Sequence, residues 1–181
     1  LDTFMLPLWD QTILLAELDP QKIIAFLSDL ISQPNIPENE KIIIQNIINT
    51  YEKDSWTVKH IAYDFPYSEI NNKNIYDQIY EKLSSRFKIK KVFGFLNNLY
   101  EIDGTKKHFI NRNFINFFNA FQGINANGNR VMFTNHAHGV NTLQEYWISI
   151  LEEHGYSKEN IFFIHEFKYN AGIDCVGSIC P

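Results

Sequence analysis

Apolar positions recur along this chain at two different periods, and the change between them marks out strands and helices. Thr12 to Leu18 (TILLAEL) is a short apolar run between polar residues and predicts a buried strand. Asp19-Pro20 then opens a helix, with Asp as N-cap and Pro in the first turn. Ile23, Ile24, Leu27, Leu30 and Ile31 give that helix one apolar face. Pro34 and Pro37 stop it and start a second helix to about Tyr51, with Ile44, Ile47, Ile48 and Tyr51 on one stripe.

Further on, Trp56 to Ala62 predicts a strand and Pro66 to Asn74 a polar loop. Ile75, Ile79, Leu83 and Phe87 mark a third helix, and Lys91 to Phe95 a strand, followed by a loop to about Lys107. Phe114–Phe118 and Arg130–Thr134 are expected to be strands on either side of a turn at Asn127-Gly128. Asn141 with Gln144 resembles a capping box for a helix whose apolar face is Leu143, Trp147, Ile150 and Leu151. Gly155 ends that helix, and Ile161 to Glu166 is the final strand. In front of all this, Asp2 to Leu8 alternates loosely and Trp9-Asp10-Gln11 makes a turn. The fold class is therefore α/β, with about two copies of a strand–helix–strand plan, roughly 1–110 and 111–181, in one domain or a fragment of one. The copies are too divergent to form a sequence repeat. The Arg130–Thr134 and Ile161–Glu166 strands are expected in one small sheet under the intervening helix.

Composition narrows the function classes. Fifteen Phe, nine Tyr and three Trp suffice for a sizeable core. The net charge of −5 speaks against a nucleic-acid partner, because phosphate contacts need clustered Lys and Arg. Lys88, Lys90, Lys91 and the pair Lys106-Lys107 read as solvated faces. No run is long enough to span a bilayer, so no membrane partner is expected. The chain opens on Leu1 inside an apolar run, and the expectation is a piece of something longer.

The candidate chemistry sits at the two ends. His136-x-His138 follows a strand and would face a metal only if the strand continued; no further ligand lies at a diagnostic spacing, so no metal is expected. His138 with Cys175 would make a Cys–His hydrolase pair. No phosphate-cradling loop or dinucleotide fingerprint is present, and no cofactor is expected. His60, His108, His154 and His165 read as ordinary core or surface histidines, Trp56 and Trp147 as core. Cys175 and Cys180 are packed thiols, a bridge, or one of them a nucleophile on a glycine-marked turn.

Both ends together are more specific. Leu1-Asp2-Thr3-Phe4 before TILLAEL, and Gly172-Ile173-Asp174-Cys175 with Gly177-Ser178-Ile179-Cys180 after NIFFIHEF, resemble the pentein fold of guanidine-modifying enzymes. That superfamily includes arginine, agmatine and peptidylarginine deiminases. The resemblance implies strand–helix modules in a β/α propeller around a polar channel. It implies a deiminase-like hydrolase, or an amidino-group transferase, acting on an arginine-like substrate through a covalent cysteine adduct. By the same resemblance Asp2 accepts the guanidinium, and the motif histidine would precede Leu1. The motif favours Cys175. Asp174 stands where the family has a histidine, and a neighbouring carboxylate disfavours a thiolate, which speaks for Cys180. The other readings are a non-enzymatic interaction domain that keeps the fold, and the Cys–His hydrolase.

Overall fold

The structure, a computed structural model, describes residues 4–53, 75–96 and 115–164. Within these residues the chain is mixed α/β, with four helices and three separate small sheets. The first sheet pairs β1 (Met5–Pro7) antiparallel with β2 (Thr12–Ala16), and β2 parallel with β3 (Lys88–Val92). β4 (Phe95–Leu96) and β5 (Ile115–Asn116) form a short antiparallel pair. The last sheet pairs β6 (Ala120–Ile124) antiparallel with β7 (Arg130–Asn135), and β7 parallel with β8 (Ile161–Ile164). The expected sharing of one sheet by the strands at Arg130 and Ile161 is therefore found.

Between β2 and β3 lie α1 (Pro20–Ser32), α2 (Glu38–Lys53) and α3 (Ile75–Ser84); α4 (Asn141–Glu152) connects β7 to β8. α1 begins as the sequence requires: the Asp19 side chain accepts from the Gln21 N–H at 2.9 Å, and Pro20 needs no partner in the first turn. Its buried residues are Ile23, Leu27 and Leu30. α2 buries Ile44, Ile47, Ile48 and Tyr51, as its stripe predicts. α4 ends on Gly155 at φ 83°, where Tyr156 N–H bonds to Leu151 and Gly155 N–H to Glu152.

The two three-stranded sheets repeat one plan in detail. Each is strand, tight turn, antiparallel strand, helical crossover, parallel strand; the crossover has three described helices in the first unit and one α-helix in the second. The turns match bond for bond. Leu8 N–H reaches Thr12 O (2.8 Å) and Gln11 N–H reaches Leu8 O (3.2 Å); Asn125 N–H reaches Asn129 O (2.9 Å) and Gly128 N–H reaches Asn125 O (2.9 Å). Gln11 and Gly128 occupy the same left-handed position, at φ 64° and 80°. A glutamine stands in one copy and a glycine in the other, so the repeat lives in the backbone and not in the letters.

The units share one core. Leu14, Leu27 and Ile44 from the first belong to the same buried cluster as Met132, Trp147 and Leu151 from the second. Trp147 stacks on Phe117 at 5.2 Å and meets Phe118 edge-on at 5.4 Å. Gly94 lies under this pair: a Cβ there would stand 2.7 Å from Phe118 and 2.8 Å from Trp147. The opposite face of the last sheet carries Phe121, Phe133 and Phe162 side by side in register, with Phe133 and Phe162 stacked at 5.1 Å.

Four expectations are corrected. The partner of the Arg130 strand is Ala120–Ile124 and not Phe114–Phe118; Ile115–Asn116 pairs with β4 instead. A tight turn joins strands directly flanking it, and the polar cluster Asn125–Asn129 is that turn. The Lys91–Phe95 strand breaks at Phe93-Gly94 into β3, which starts at Lys88, and β4. α3 stops at Ser84, and Phe87 is an exposed residue beyond it. Asn141 does not cap α4. The cap position is Val140, which gives no side-chain bond. The strand and loop expected over Trp56–Ala62 and Pro66–Asn74 lie outside the described residues.

Candidate functional site

The parallel strands of each unit end on the same hydrogen bond. The residue after the central strand donates its N–H to the last carbonyl of the neighbouring strand: Glu17 to Val92 and His136 to Ile164, both at 2.9 Å. Ligands of open α/β sheets bind beyond such carboxyl ends, where side chains and free backbone groups converge. In the first unit Glu17 is occupied. Its carboxylate accepts from the Asp19 N–H at 3.1 Å and from Lys22 at 3.3 Å, fixing the passage from β2 into α1.

The second carboxyl edge is richer. It reads Asn135-His136-Ala137-His138-Gly139, and two successive residues are left-handed: His138 at φ 46° and Gly139 at φ 89°. Positive φ is unfavourable for a residue with a Cβ and concentrates at functional turns. His138 N–H donates to His136 Nδ1 at 3.0 Å. Nδ1 therefore carries no proton, and a neutral His136 has its hydrogen on Nε2. The two rings stand 6.5 Å apart at 80°. The condition for a shared metal, a strand continuing through both histidines, fails because β7 ends at Asn135. Among the described residues no group of three or more His, Cys, Asp and Glu converges. Ala137 N–H is held by Gln144 Oε1 at 3.0 Å, so the side chain expected to close a capping box ties down this loop instead.

Asn135 itself is only 1% exposed, and its Oδ1 is sealed from solvent with no hydrogen-bond partner. Trp147 Nε1 is likewise sealed without a partner, whereas two other buried polar residues are satisfied. Thr134 Oγ1 donates to Phe117 O at 2.8 Å, and Asn116 Oδ1 accepts from Phe118 N–H at 3.1 Å. Sequence reasoning passed over Asn135; its one signal was a polar amide ending an apolar strand.

Of the residues singled out in the sequence, His138 lies at this edge. Asp2, Cys175 and Cys180 lie outside the described residues. The described residues nearest to them in sequence are Phe4 and Ile164. Phe4, two positions after Asp2, accepts the Ala16 N–H at 2.9 Å, at the carboxyl end of β2. Ile164, the last described residue before the cysteine-bearing stretch, is at the carboxyl end of β8.

The opposite, amino edges of the two sheets are joined. Asp10 Oδ2 lies 2.9 Å from His154 Nδ1, and Gln122 bonds to both Pro7 O and the Tyr156 hydroxyl. Burial would raise the Asp10 carboxyl, but hydrogen bonds from His154 and the Thr12 N–H outweigh it and hold it below its usual range. Burial pushes the Tyr156 hydroxyl up to about 12, so it stays a neutral donor to Gln122.

Comparison of the chain with protein-family models, with curated proteins and with solved structures finds no match. No helix among the described residues is long and apolar enough to cross a membrane.

Proposed function

We propose that this chain is part of a pentein-type guanidine-modifying enzyme, a cysteine-dependent deiminase acting on an arginine-like substrate. One observation carries the reading: a unit of strand, tight turn, antiparallel strand, helical crossover and parallel strand occurs twice. A modular β/α propeller is built from such repetition. Phe4, two positions after Asp2 in sequence, bonds at the carboxyl end of β2, and Ile164, eleven positions before Cys175, ends β8.

The chemistry then follows from the residue types. A guanidinium is planar, always charged and offers parallel N–H donors, which the two oxygens of Asp2 accept together. The thiolate of one cysteine adds to the central carbon. A proton donor delivers a hydrogen to one nitrogen, and the C–N bond breaks to release ammonia. Water adds to the amidino thioether, the C–S bond breaks, and the ureido product leaves with the thiolate restored. The sum is guanidinium plus water to ureido product plus ammonium, with no oxidant and no cofactor. The test is ureido-product and ammonia formation from arginine, agmatine and an arginyl peptide by the full-length protein, with Cys175→Ala and Cys180→Ala beside it.

A Cys–His hydrolase is the second reading, favoured by His138: a histidine in a left-handed conformation at the carboxyl edge, on the side from which the cysteine segment leaves. Turnover of simple thioesters or amides, with none of the guanidino compounds, would select it.

A further inference from the structure

We propose that the turn from α3 into β3 is a docking surface for an acidic protein segment that carries an aromatic side chain among its carboxylates. The inference is independent of the guanidine-modifying reading. Residues 80–92 hold five of the chain's sixteen Lys and Arg and one of its twenty-one Asp and Glu, in a chain of net charge −5. Two of the five are engaged: Lys90 pairs with Glu153, and Lys91 lies over the Tyr80 ring at 4.9 Å. Lys82, Arg86 and Lys88 are exposed, and none of them meets a carboxylate among the described residues. Phe87 stands between the last two and is 42% exposed.

Two ordinary uses of such cations do not account for this arrangement. Basic side chains at a helix C-terminus neutralise its unpaired carbonyls. Here those carbonyls are already met. Ser84 Oγ donates to Glu81 O at 3.0 Å, Ser85 Oγ to Lys82 O at 2.8 Å, and the Arg86 and Phe87 N–H groups to Leu83 O, both at 2.9 Å. Lysine on an outer strand discourages edge-to-edge pairing, and β3 is outermost in its sheet among the described residues. That accounts for Lys88 but not for Lys82 and Arg86, which precede the strand. Nor does it account for an open phenylalanine in their midst, which invites the association that lysines oppose. An acidic segment complements every part of the turn: its carboxylates pair with the three exposed cations, and its aromatic ring packs on Phe87. Three cations are too few to track a phosphate backbone, or to hold an anionic bilayer, which takes about four to eight, and the negative balance of the chain opposes both.

The test uses the full-length protein and a fluorescein-labelled peptide of Glu and Asp around one Trp, with binding followed by fluorescence anisotropy. Matched probes are the same peptide with Ser for Trp, a Lys-rich peptide around Trp, a single-stranded oligonucleotide and phosphatidylserine vesicles. Two double reversals change the net charge equally: Arg86→Glu with Lys88→Glu at the turn, and Lys41→Glu with Lys158→Glu elsewhere. Melting temperature is measured on each. We expect the turn variant to melt with wild type and to bind the Trp peptide weaker by about tenfold or more, as two exposed ion pairs turned to repulsions imply. The distant variant should lose less than about threefold, because salt screens remote charges. Phe87→Ser should weaken binding of the Trp peptide and leave that of the Ser peptide unchanged. If the turn variant melts lower, Arg86→Gln with Lys88→Gln takes its place, with the same order expected. No binding of the acidic peptide to the wild type, binding of the Lys-rich peptide as tight as that of the acidic one, or equal losses in the two reversals, would overturn the surface. Tighter binding of the oligonucleotide or the vesicles than of the Trp peptide would overturn the acidic partner. A turn variant that self-associates, with no peptide bound by the wild type, would reduce the cations to protection of the β3 edge.

Discussion

Glu40, near the start of α2, caps a helix that begins a hundred residues later: its Oε2 accepts the Thr142 N–H at 2.9 Å and the Thr142 hydroxyl at 2.7 Å. The carboxylate is buried, at 3% exposure, and sits at the positive end of α4. Glu40→Ala removes a two-bond cap and leaves a buried N–H without an acceptor. It should destabilise by about 1–3 kcal/mol. Glu40→Gln, which keeps one acceptor, should cost less. In a double-mutant cycle by urea denaturation, Glu40→Ala and Thr142→Val should be clearly non-additive. Additive losses would mean that the cap contributes nothing.

Gly94 is a packing requirement rather than a turn requirement. A methyl group there meets the Phe118 and Trp147 rings closer than real Cβ contacts allow. Gly94→Ala should lower the urea midpoint by an amount equivalent to about 1–3 kcal/mol. An unchanged midpoint would show that the rings yield freely.

The repeat makes a prediction about its first turn. Gln11 holds the left-handed position that Gly128 holds in the second unit. Relief of about 1–2 kcal/mol of left-handed strain is partly offset by glycine's extra freedom when unfolded, roughly 0.5–1 kcal/mol. Gln11→Gly should therefore stabilise slightly, and Gly128→Ala should destabilise. Destabilisation by both substitutions would undo the equivalence of the turns.

Asp10 and His154 give the clasp an acid limit. The folded-state pKa of Asp10 is depressed, so its contribution is present above the unfolded value of about 3.9 and is lost as pH falls through the lower folded value. Chemical denaturation from pH 6 down to pH 2 should show a loss below about pH 4 that Asp10→Asn flattens. A variant with the same acid limb as wild type would remove Asp10 from that account.

What the sequence disclosed and what it hid divide along a physical line. Local signals were legible. Asp19-Pro20 started α1, and the spacing of Ile23, Leu27 and Leu30 gave its buried face. Gly155 closed α4, and the apolar runs at Val131 and Ile161 became paired strands. Features set by distant partners were not. Asn141 and Gln144 have the letters of a capping box, but Glu40 reaches the helix end first and Gln144 is used by Ala137. The run NFINFFNAF is apolar throughout, so its period cannot say which part joins β7 and which joins β4. The clasp between Asp10 and His154, and the unmet acceptor of Asn135, are written only in three dimensions. Of the site residues chosen from sequence, His138 falls at a carboxyl edge; Asp2 and the two cysteines lie beyond the described residues.

The central claim, a thiol that opens a guanidinium, is tested most directly by one assay. Full-length protein is incubated with arginine, agmatine and an arginyl peptide, and ureido product and ammonia are measured together, for wild type, Cys175→Ala and Cys180→Ala. The account predicts equal amounts of the two products from at least one substrate. One cysteine variant should fall by at least about 10³-fold, because no other group replaces the lost nucleophile, while the other stays near wild type. No product from the wild type, or full activity in both variants, would contradict it.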